Sequence, residues 1–227
     1  RAHLDGVIIL PPVSAIDEVG LVLDETGYDV VQFTSEAGNE PWKLVVSDYK
    51  PAIDELTKHL VDLGHRDIAF ISGPPDRIAS KKRQEFFTKA LETHGLELRP
   101  DWIVDGEFTF EGGLVAGREL LSRKQRPTAI FAANDEMAFG VMNVADELGL
   151  KIPEDLSLVG FDGSRVSTFV VPSLSTVIQD TDAMARLGTQ KLLALIEGGA
   201  EAARDYKTVV SPRFVDREST GPVPSGN

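Results

Sequence analysis

Short runs of apolar, largely β-branched residues alternate along the chain with longer segments of helical periodicity. The runs that predict strands are DGVIIL, DVVQF, KLVVS, DIAFIS, WIVDGEF, TAIFA and LSLVGF, and YKTVV and PRFVDRES are predicted to be two further extended pieces. Helices are predicted at 14–26, 51–64, 78–94, 110–123, 134–149 and 181–197. Nearly continuous apolar strands that are separated by helices are typical of a parallel sheet covered on both faces. The pattern therefore predicts an α/β fold with parallel sheets.

The composition and the net charge limit the kinds of function that the chain can have. The chain has 227 residues, of which 42% are hydrophobic, enough to form one large domain or two lobes. Its net charge of −13 repels a phosphate backbone, so this part of the protein is not expected to bind nucleic acid itself. Cysteine is absent, which excludes disulfides, thiolate metal sites and cysteine nucleophiles. Because no apolar run approaches the ~20 residues of a membrane span, no membrane association is predicted.

Motifs of common nucleotide-binding and hydrolytic enzymes are missing from the sequence. It has no GxGxxG after a strand, no GxxxxGK[ST] and no GxSxG. The nearest stretch, EGGLVAG, lies in a predicted helix, where small residues allow two helices to pack closely. His59, His65 and His94 lie at helix ends without metal-ligand spacing and are predicted to be surface or capping groups. Neither a metal nor a cofactor is predicted.

Polar residues collect at and just beyond the carboxyl ends of the predicted strands. In open α/β sheets ligands bind at this edge, because strand ends and helix N-termini converge there and leave backbone donors unpaired. Carboxylate, guanidinium, amide and aromatic groups together suit a polyol, whose hydroxyls both donate and accept while a ring covers its C–H face. The residues concerned are Asp48, Arg77, Ser80, Arg83, Phe108, Asn134 and Asp162.

Each of these residues also has a purely structural explanation. Asn134 and Asp162 are well placed to cap the helices that follow them. Arg83 lies in SKKRQEFF, where a solvated helix charge is the ordinary role of a basic residue. Phe108 fits an ordinary core position. From spacing alone the chain is a two-lobed α/β binding domain or an enzyme, with a cleft at its strand ends.

Several stretches resemble the lactose/galactose repressor (LacI/GalR) family of bacterial transcription regulators. They are HLVDLGHRDIAFISGP, RPTAIFAANDEMAFGVMNVADELGLKIPEDLSLVGFDGS, PSLSTVIQD and PRFVDREST. The resemblance implies two Rossmann-like lobes of the periplasmic binding protein-like type I fold, joined by three crossovers, with a small-molecule effector between them. It also implies a cytoplasmic homodimer in which an N-terminal helix-turn-helix head binds operator DNA.

The resemblance also implies a division of the chain into lobes. Residues 1–46 and 180–210 correspond to the N-terminal lobe, 47–179 and 211–220 to the C-terminal lobe, and 221–227 to a frayed tail. The helix-turn-helix head and the first βαβα stretch of the N-terminal lobe have no counterpart here, and a strand-like run begins already at Asp5. We therefore expect upstream residues, and operator DNA is expected to bind through the missing head.

The family's effector-contacting positions can be carried over to this sequence residue by residue. They fall on Asp162 and Arg83, then on Phe108 and Asn134, and with weaker support on Arg77, Ala79 and Asp48. Sugar-responsive members often carry Trp where Phe108 stands, whereas purine-responsive relatives carry Phe. A hexose or its glycoside is the first expected effector and a purine base the second.

The resemblance implies a mechanism by population shift. Effector binding is expected to favour one relative orientation of the lobes, which alters the spacing of two DNA heads in a dimer. No enzyme activity is expected, because a catalytic acid needs a partner and the sequence offers neither a Ser-His pair nor a metal cluster. The alternatives are a periplasmic sugar-binding protein that serves a transporter, and a hydrolase that uses Asp162 with another carboxylate. GHRDIAFISG and IPEDLSLVGFD favour the regulator.

Overall fold

The computed structural model describes residues 4–15, 19, 22, 25 and 27–224. The strands are β1 (Gly6–Ile9), β2 (Asp29–Thr34), β3 (Leu44–Ser47), β4 (Ile68–Ser72), β5 (Ile103–Asp105), β6 (Ala129–Ala132), β7 (Ser157–Asp162), β8 (Ser175–Ile178), β9 (Val209–Val210) and β10 (Arg213–Val215). The helices are α1 (Lys50–Asp62), α2 (Ile78–Thr93), α3 (Phe110–Leu121), α4 (Asp135–Glu147) and α5 (Thr181–Arg204). The helix predicted at 14–26 lies largely outside the described residues. None of these helices is long and apolar enough to cross a membrane.

The chain divides into two compact units, each built around its own sheet. Unit 1 consists of Arg1–Asp48 and Asp180–Pro212, and unit 2 consists of Tyr49–Gln179 and Arg213–Asn227. The sheet of unit 1 has the order β1-β2-β3-β9 and is parallel throughout. The sheet of unit 2 has the order β10-β8-β7-β6-β4-β5, in which only β10 runs antiparallel to its neighbour. Both units are α/β with parallel sheets, as the alternation of strands and helices predicts.

The division places two short segments in unit 1 that the sequence assigned to the C-terminal lobe. Residues 47–48 and 211–212 belong with unit 1. The reason is that β3 continues to Ser47 and pairs there with Val210 of β9. The backbone N–H of Asp48 then donates to the Val210 carbonyl at 3.0 Å, which extends the pairing by one residue.

Three elements differ from those predicted. Strand β5 ends at Asp105, and the remainder of WIVDGEF forms a turn in which Glu107 and Phe108 have φ values of 55° and 59°. The sequence does not predict β8, because Ser175 and Thr176 leave it only two apolar residues, yet β8 is an internal strand in the sheet of unit 2. Helix α5 continues beyond its predicted end, with a break at Gly199, where φ is 69° and ψ is −166°.

Helices α3 and α4 pack closely because glycines line their contact. A Cβ atom on Gly113 would lie 2.3 Å from the carbonyl oxygen of Met137. A Cβ atom on Gly140 would lie 2.5 Å from the carbonyl oxygen of Phe110. The small residues of EGGLVAG therefore have the packing role that the sequence predicted, and they bring the start of α4 close to the turn that precedes α3.

A buried lysine joins three segments of unit 1. The Lys191 side chain of α5 is fully buried, and its Nζ donates to the carbonyl oxygens of Pro41 at 2.6 Å and Leu44 at 2.9 Å. It also donates to Thr208 Oγ1 at 3.0 Å. Burial disfavours the charged ammonium group and lowers the pKa of Lys191 to about 8. The lysine therefore links α5 to the start of β3 and to the segment that leads into β9.

His65 is buried, which corrects the expectation of a surface or capping group. Its Nδ1 lies 2.9 Å from Thr128 Oγ1, while its Nε2 lies 2.9 Å from Ser157 Oγ and 3.0 Å from the Gly221 carbonyl oxygen. Burial lowers the pKa of His65, because the imidazolium form loses hydration. The sequence shows only that His65 follows α1; the fold surrounds it with residues far away along the chain.

The segment after Thr220 is anchored where the structure describes it, whereas the sequence predicted a frayed tail from residue 221. The backbone N–H of Gly221 donates to Ser157 Oγ at 3.0 Å, and that of Val223 donates to the Leu63 carbonyl at 2.9 Å. Gly221 and Val223 therefore hold the end of the described chain against unit 2. Residues 225–227 lie outside the described residues.

The His65→Asn substitution tests this buried network. At pH 7 we expect it to lower the free energy of unfolding by about 1–3 kcal/mol, because buried partners lose their hydrogen bonds. The pKa of His65 is lowered from 6.5, so its contribution is complete above pH 6.5 and is lost as the pH falls through the folded-state value. The difference between wild type and variant should therefore shrink below pH 6.5 in urea unfolding.

The exposed His94 provides the matched control for this experiment. We expect His94→Asn to change the free energy of unfolding at pH 7 by no more than about 0.5 kcal/mol, as is usual for surface substitutions. A difference between wild type and His65→Asn that stays constant down to about pH 5 would contradict the prediction.

Candidate functional site

Most of the predicted site residues lie in unit 2, near the carboxyl ends of its parallel strands. Arg77, Ala79 and Arg83 belong to α2 or precede it directly, and Asn134 follows β6. Asp162 is the last residue of β7. Asp48 is the exception, since it follows β3 in unit 1.

Asp162 has an unusual backbone conformation and a braced carboxylate. Its φ of 111° is rare for a residue other than glycine, and asparagine and aspartate tolerate positive φ better than most. Its Oδ1 accepts a hydrogen bond from Gln179 Nε2 at 2.8 Å and a longer one from Arg83 Nη2 at 3.4 Å. The side chain remains 41% exposed. Ser164, not Asp162, occupies the N-cap position of the next short helix, so the capping explanation for Asp162 is wrong.

Arg83 is buried, so it is not the solvated helix charge considered above. Its side chain is 6% exposed, and its Nη1 donates to the carbonyl oxygen of Ala133 at the end of β6. The guanidinium carbon lies 3.7 Å from the ring centre of Phe161 and 5.0 Å from that of Tyr49. These ring faces and acceptors stabilise a charge that would otherwise be costly to bury. Its Nε is buried without a hydrogen-bond partner among the described residues.

Asn134 caps α4 and also holds the turn that carries Phe108. Its Oδ1 accepts from the Met137 N–H at 2.9 Å, and its Nδ2 donates to the Phe108 carbonyl at 3.0 Å. The Phe108 ring lies directly over Gly73, where a Cβ atom would come within 2.2 Å of it. The ring centre is 5.6 Å from the Arg83 guanidinium carbon. Phe108 is thus a half-buried ring that packs against the core of unit 2 beside Arg83.

The remaining predicted residues occupy less distinctive positions. Arg77 precedes α2 with its side chain 40% exposed, and it pairs loosely with Asp76 at 3.8 Å. Ala79 packs against the core of unit 2 in the first turn of α2. Ser80 is buried, and its Oγ donates to the Gly73 carbonyl at 2.7 Å. Asp48 donates its backbone N–H within unit 1.

Sequence reasoning missed two further residues near Asp162: Gln179, which donates to its carboxylate, and Asp135, which bonds to the segment that follows it. Gln179 follows β8, a strand that the sequence does not predict. Asp135 is buried at the start of α4, where its Oδ1 accepts from Thr176 Oγ1 and its Oδ2 accepts from the Ser164 N–H, both at 2.6 Å. Burial raises the pKa of Asp135, although these hydrogen bonds oppose the effect. The only available signal for Asp135 was an acidic residue directly after the capping Asn134.

The arrangement suits recognition of a small polar molecule. Asp162 presents an exposed acceptor, and the half-buried Phe108 presents an aromatic ring near the Arg83 guanidinium. Such a combination accepts hydrogen bonds from a ligand and covers its flat or apolar face. Within the described ranges, His, Asp and Glu side chains form no group of three or more that could hold a metal ion.

The chain matches a known family model and is similar to bacterial transcription regulators. A family model described as a periplasmic binding protein-like domain matches residues 57–220. The chain is 39% identical over 167 residues to the HTH-type transcriptional repressor PurR of Proteus mirabilis, which covers 74% of this chain and 48% of the relative. The chain therefore spans about half the length of that relative.

Two solved structures extend the similarity to almost the whole chain. One is a sugar-binding transcriptional regulator of the LacI family from Escherichia coli, complexed with phosphate, with a TM-score of 0.83 and 28% identity over 97% of this chain and 78% of that one. The other is a complex of the transcriptional regulator CelR with cellobiose, with a TM-score of 0.81 and 30% identity over 96% of this chain and 66% of that one.

The double role of Asn134 can be separated by substitution. We expect Asn134→Ala to lower the free energy of unfolding by about 1–2 kcal/mol through the lost cap, with a further loss from the missing bond to Phe108. Asn134→Ser restores a capping oxygen but not the amide donor, so it should recover the capping part alone. Urea unfolding measures both variants.

Thr109→Ala is the matched control, because Thr109 caps α3 through a bond from the Gly112 N–H at 3.0 Å and has no second role of this kind. It should cost about 1 kcal/mol. If Asn134→Ser proved as unstable as Asn134→Ala, the capping explanation would be wrong.

Proposed function

The chain belongs to the periplasmic binding protein-like family and forms a LacI/GalR-type effector-binding core, and from this we propose that it senses a small molecule and thereby controls operator binding. The proposal includes a cytoplasmic homodimer, contact with operator DNA through a separate helix-turn-helix head, and no catalysed reaction. The net charge of −13 supports a DNA contact outside this chain, because it repels phosphate.

The observation that carries the proposal is the braced, exposed carboxylate of Asp162 beside Phe108 and Arg83. A buried guanidinium and a glutamine hold its Oδ1, and the side chain is still 41% exposed. A carboxylate with a purely structural role does not have to be exposed. Asp162 is exposed at a strand end, and open parallel sheets bind their ligands at this edge. We infer that Asp162 accepts a hydrogen bond from the effector while Phe108 covers the effector's face.

A purine base is the effector that these groups favour. Its ring N–H groups donate to a carboxylate, its ring and carbonyl acceptors suit a guanidinium, and its flat face stacks on an aromatic ring. Relatives named PurR support this choice, at 39% identity over 167 residues for that of Proteus mirabilis and 30% over 220 residues for that of Pasteurella multocida. Phe108 also stands where purine-responsive members of the family carry Phe.

A sugar is the second candidate, and the sequence alone ranked it first. Its support is the CelR–cellobiose complex and the sugar-binding regulator of Escherichia coli, to which the chain is similar over almost its full length. A carboxylate and an aromatic ring also suit a sugar, whose hydroxyls donate and whose C–H face packs on a ring.

Thermal unfolding of the full-length protein with a panel of ligands tests the proposal. The panel contains adenine, guanine, hypoxanthine, glucose, galactose and cellobiose. A ligand at 100 times its Kd stabilises the folded state by about 2.7 kcal/mol, which raises the Tm by several degrees. We expect a purine base to give the larger shift. The proposed function would be contradicted if no member of the panel shifted the Tm.

Asp162→Asn should abolish most of this shift. Asparagine tolerates the positive φ that alanine would not, so the variant removes the charge without straining the backbone. Loss of a charge-assisted hydrogen bond should weaken the ligand by about tenfold or more in calorimetry, while dimerisation and DNA affinity are retained. Asp146→Asn, an equal charge loss at an exposed position on α4, is the matched control. Equal ligand affinity in both variants would remove Asp162 from the site.

A further inference from the structure

Gln179 contacts Asp162 through both its backbone and its side chain. It directly follows β8, whose last residue, Ile178, pairs with Asp162. The Gln179 N–H donates to the Asp162 carbonyl at 3.3 Å, and Gln179 Nε2 donates to Asp162 Oδ1 at 2.8 Å. The side-chain bond is therefore separate from the sheet pairing and can be removed without breaking it.

The two protein donors to Asp162 both use the same oxygen. Oδ1 accepts from Gln179 at 2.8 Å and from Arg83 at 3.4 Å. No hydrogen bond to Oδ2 joins it to the rest of the described chain. The bond from Gln179 is the shorter of the two and has the ordinary length for an N–H donor. It therefore sets the orientation of the Asp162 carboxylate. Asp162 therefore presents one free oxygen in a fixed direction.

We propose that Gln179 is the positioning residue for Asp162, holding Oδ1 so that Oδ2 is offered to a hydrogen-bond donor of the ligand. This inference rests on the proposed function of Asp162. A fixed carboxylate loses less side-chain entropy when the ligand binds, so the ligand is held more tightly than by a freely rotating one. Gln179 thereby contributes to affinity without itself having to touch the ligand.

The first test needs no ligand. In NMR spectra the side-chain amide of Gln179, assigned by its disappearance in Gln179→Met, should show one proton shifted downfield by the carboxylate. Asp162→Asn should move this resonance upfield, because the acceptor loses its charge. A Gln179 amide that does not respond to Asp162→Asn would overturn the proposal, since the two side chains would then not be bonded in solution.

The second test measures affinity for the purine base or sugar of the panel that binds the wild type best. Gln179→Met preserves the length of the side chain but removes the donor, and it should weaken binding about tenfold in calorimetry. Gln190→Met, at an exposed position on α5, makes the same chemical change and should have no effect. Binding within about twofold of wild type in Gln179→Met would overturn the proposal.

The Gln179→Glu variant allows a further test, because it should make ligand affinity depend on pH in a way that a purely structural role of Gln179 would not. The introduced carboxylate would face Asp162, with Arg83 as the nearby cation, the buried Asp135 also close to Asp162, and Asp180 next in the chain. Two carboxylates in contact share a proton more readily as the pH falls. Ligand affinity of Gln179→Glu should therefore be poor near pH 8 and recover toward about pH 5, relative to wild type. A pH-independent defect would contradict positioning.

The two tests separate this inference from the proposed function. If no ligand of the panel binds the wild type, the proposed function fails, while the amide resonance still decides whether Gln179 holds Asp162. If a ligand binds and Asp162→Asn weakens it but Gln179→Met does not, the function stands and the role of Gln179 is rejected.

Discussion

The buried guanidinium of Arg83 is the interaction on which the candidate site depends. It joins the end of β6, through the Ala133 carbonyl, to the Asp162 carboxylate at the end of β7. The rings of Phe161 and Tyr49 lie against it, so the charge is compensated by acceptors and by ring faces. The guanidinium is buried while the Asp162 carboxylate is 41% exposed, so loss of the carboxylate would take one acceptor from a cation that keeps the Ala133 carbonyl and the ring faces.

The buried carboxylate of Asp135 forms hydrogen bonds close to the same strand end. Asp135 accepts hydrogen bonds from the Ser164 N–H, just beyond Asp162, and from Thr176 in the neighbouring strand. The positive φ of Asp162 is therefore held by bonds on both sides of the residue. Hydrogen bonds therefore brace the strand end although the Asp162 carboxylate is exposed, and a preorganised acceptor favours selective binding of a small molecule.

Much of the fold could be predicted because it depends on local patterns. The apolar runs form strands, which are buried most completely in β3, β4, β6 and β7, and EGGLVAG has the packing role expected of small residues in a helix. The predictions fail where neighbours distant in sequence decide the outcome. His65 looks like a helix-end residue but is enclosed by Thr128, Ser157 and Gly221. Strand β8 lacks the apolar run that marks most of the other strands, and only the strands on either side of it identify it.

The candidate site likewise has features that the sequence predicts and features that it does not. The sequence by itself determined the α/β class, the family and the presence of Asp162 and Arg83 near strand ends, because periodicity and motifs are properties of consecutive residues. Only the tertiary structure decided that Arg83 is buried, that Asn134 joins the α4 cap to the Phe108 turn, and that Gln179 and Asp135 brace Asp162 and its turn. Those contacts join residues far apart in the chain, and the sheet together with the helices packed on it brings them within hydrogen-bond distance.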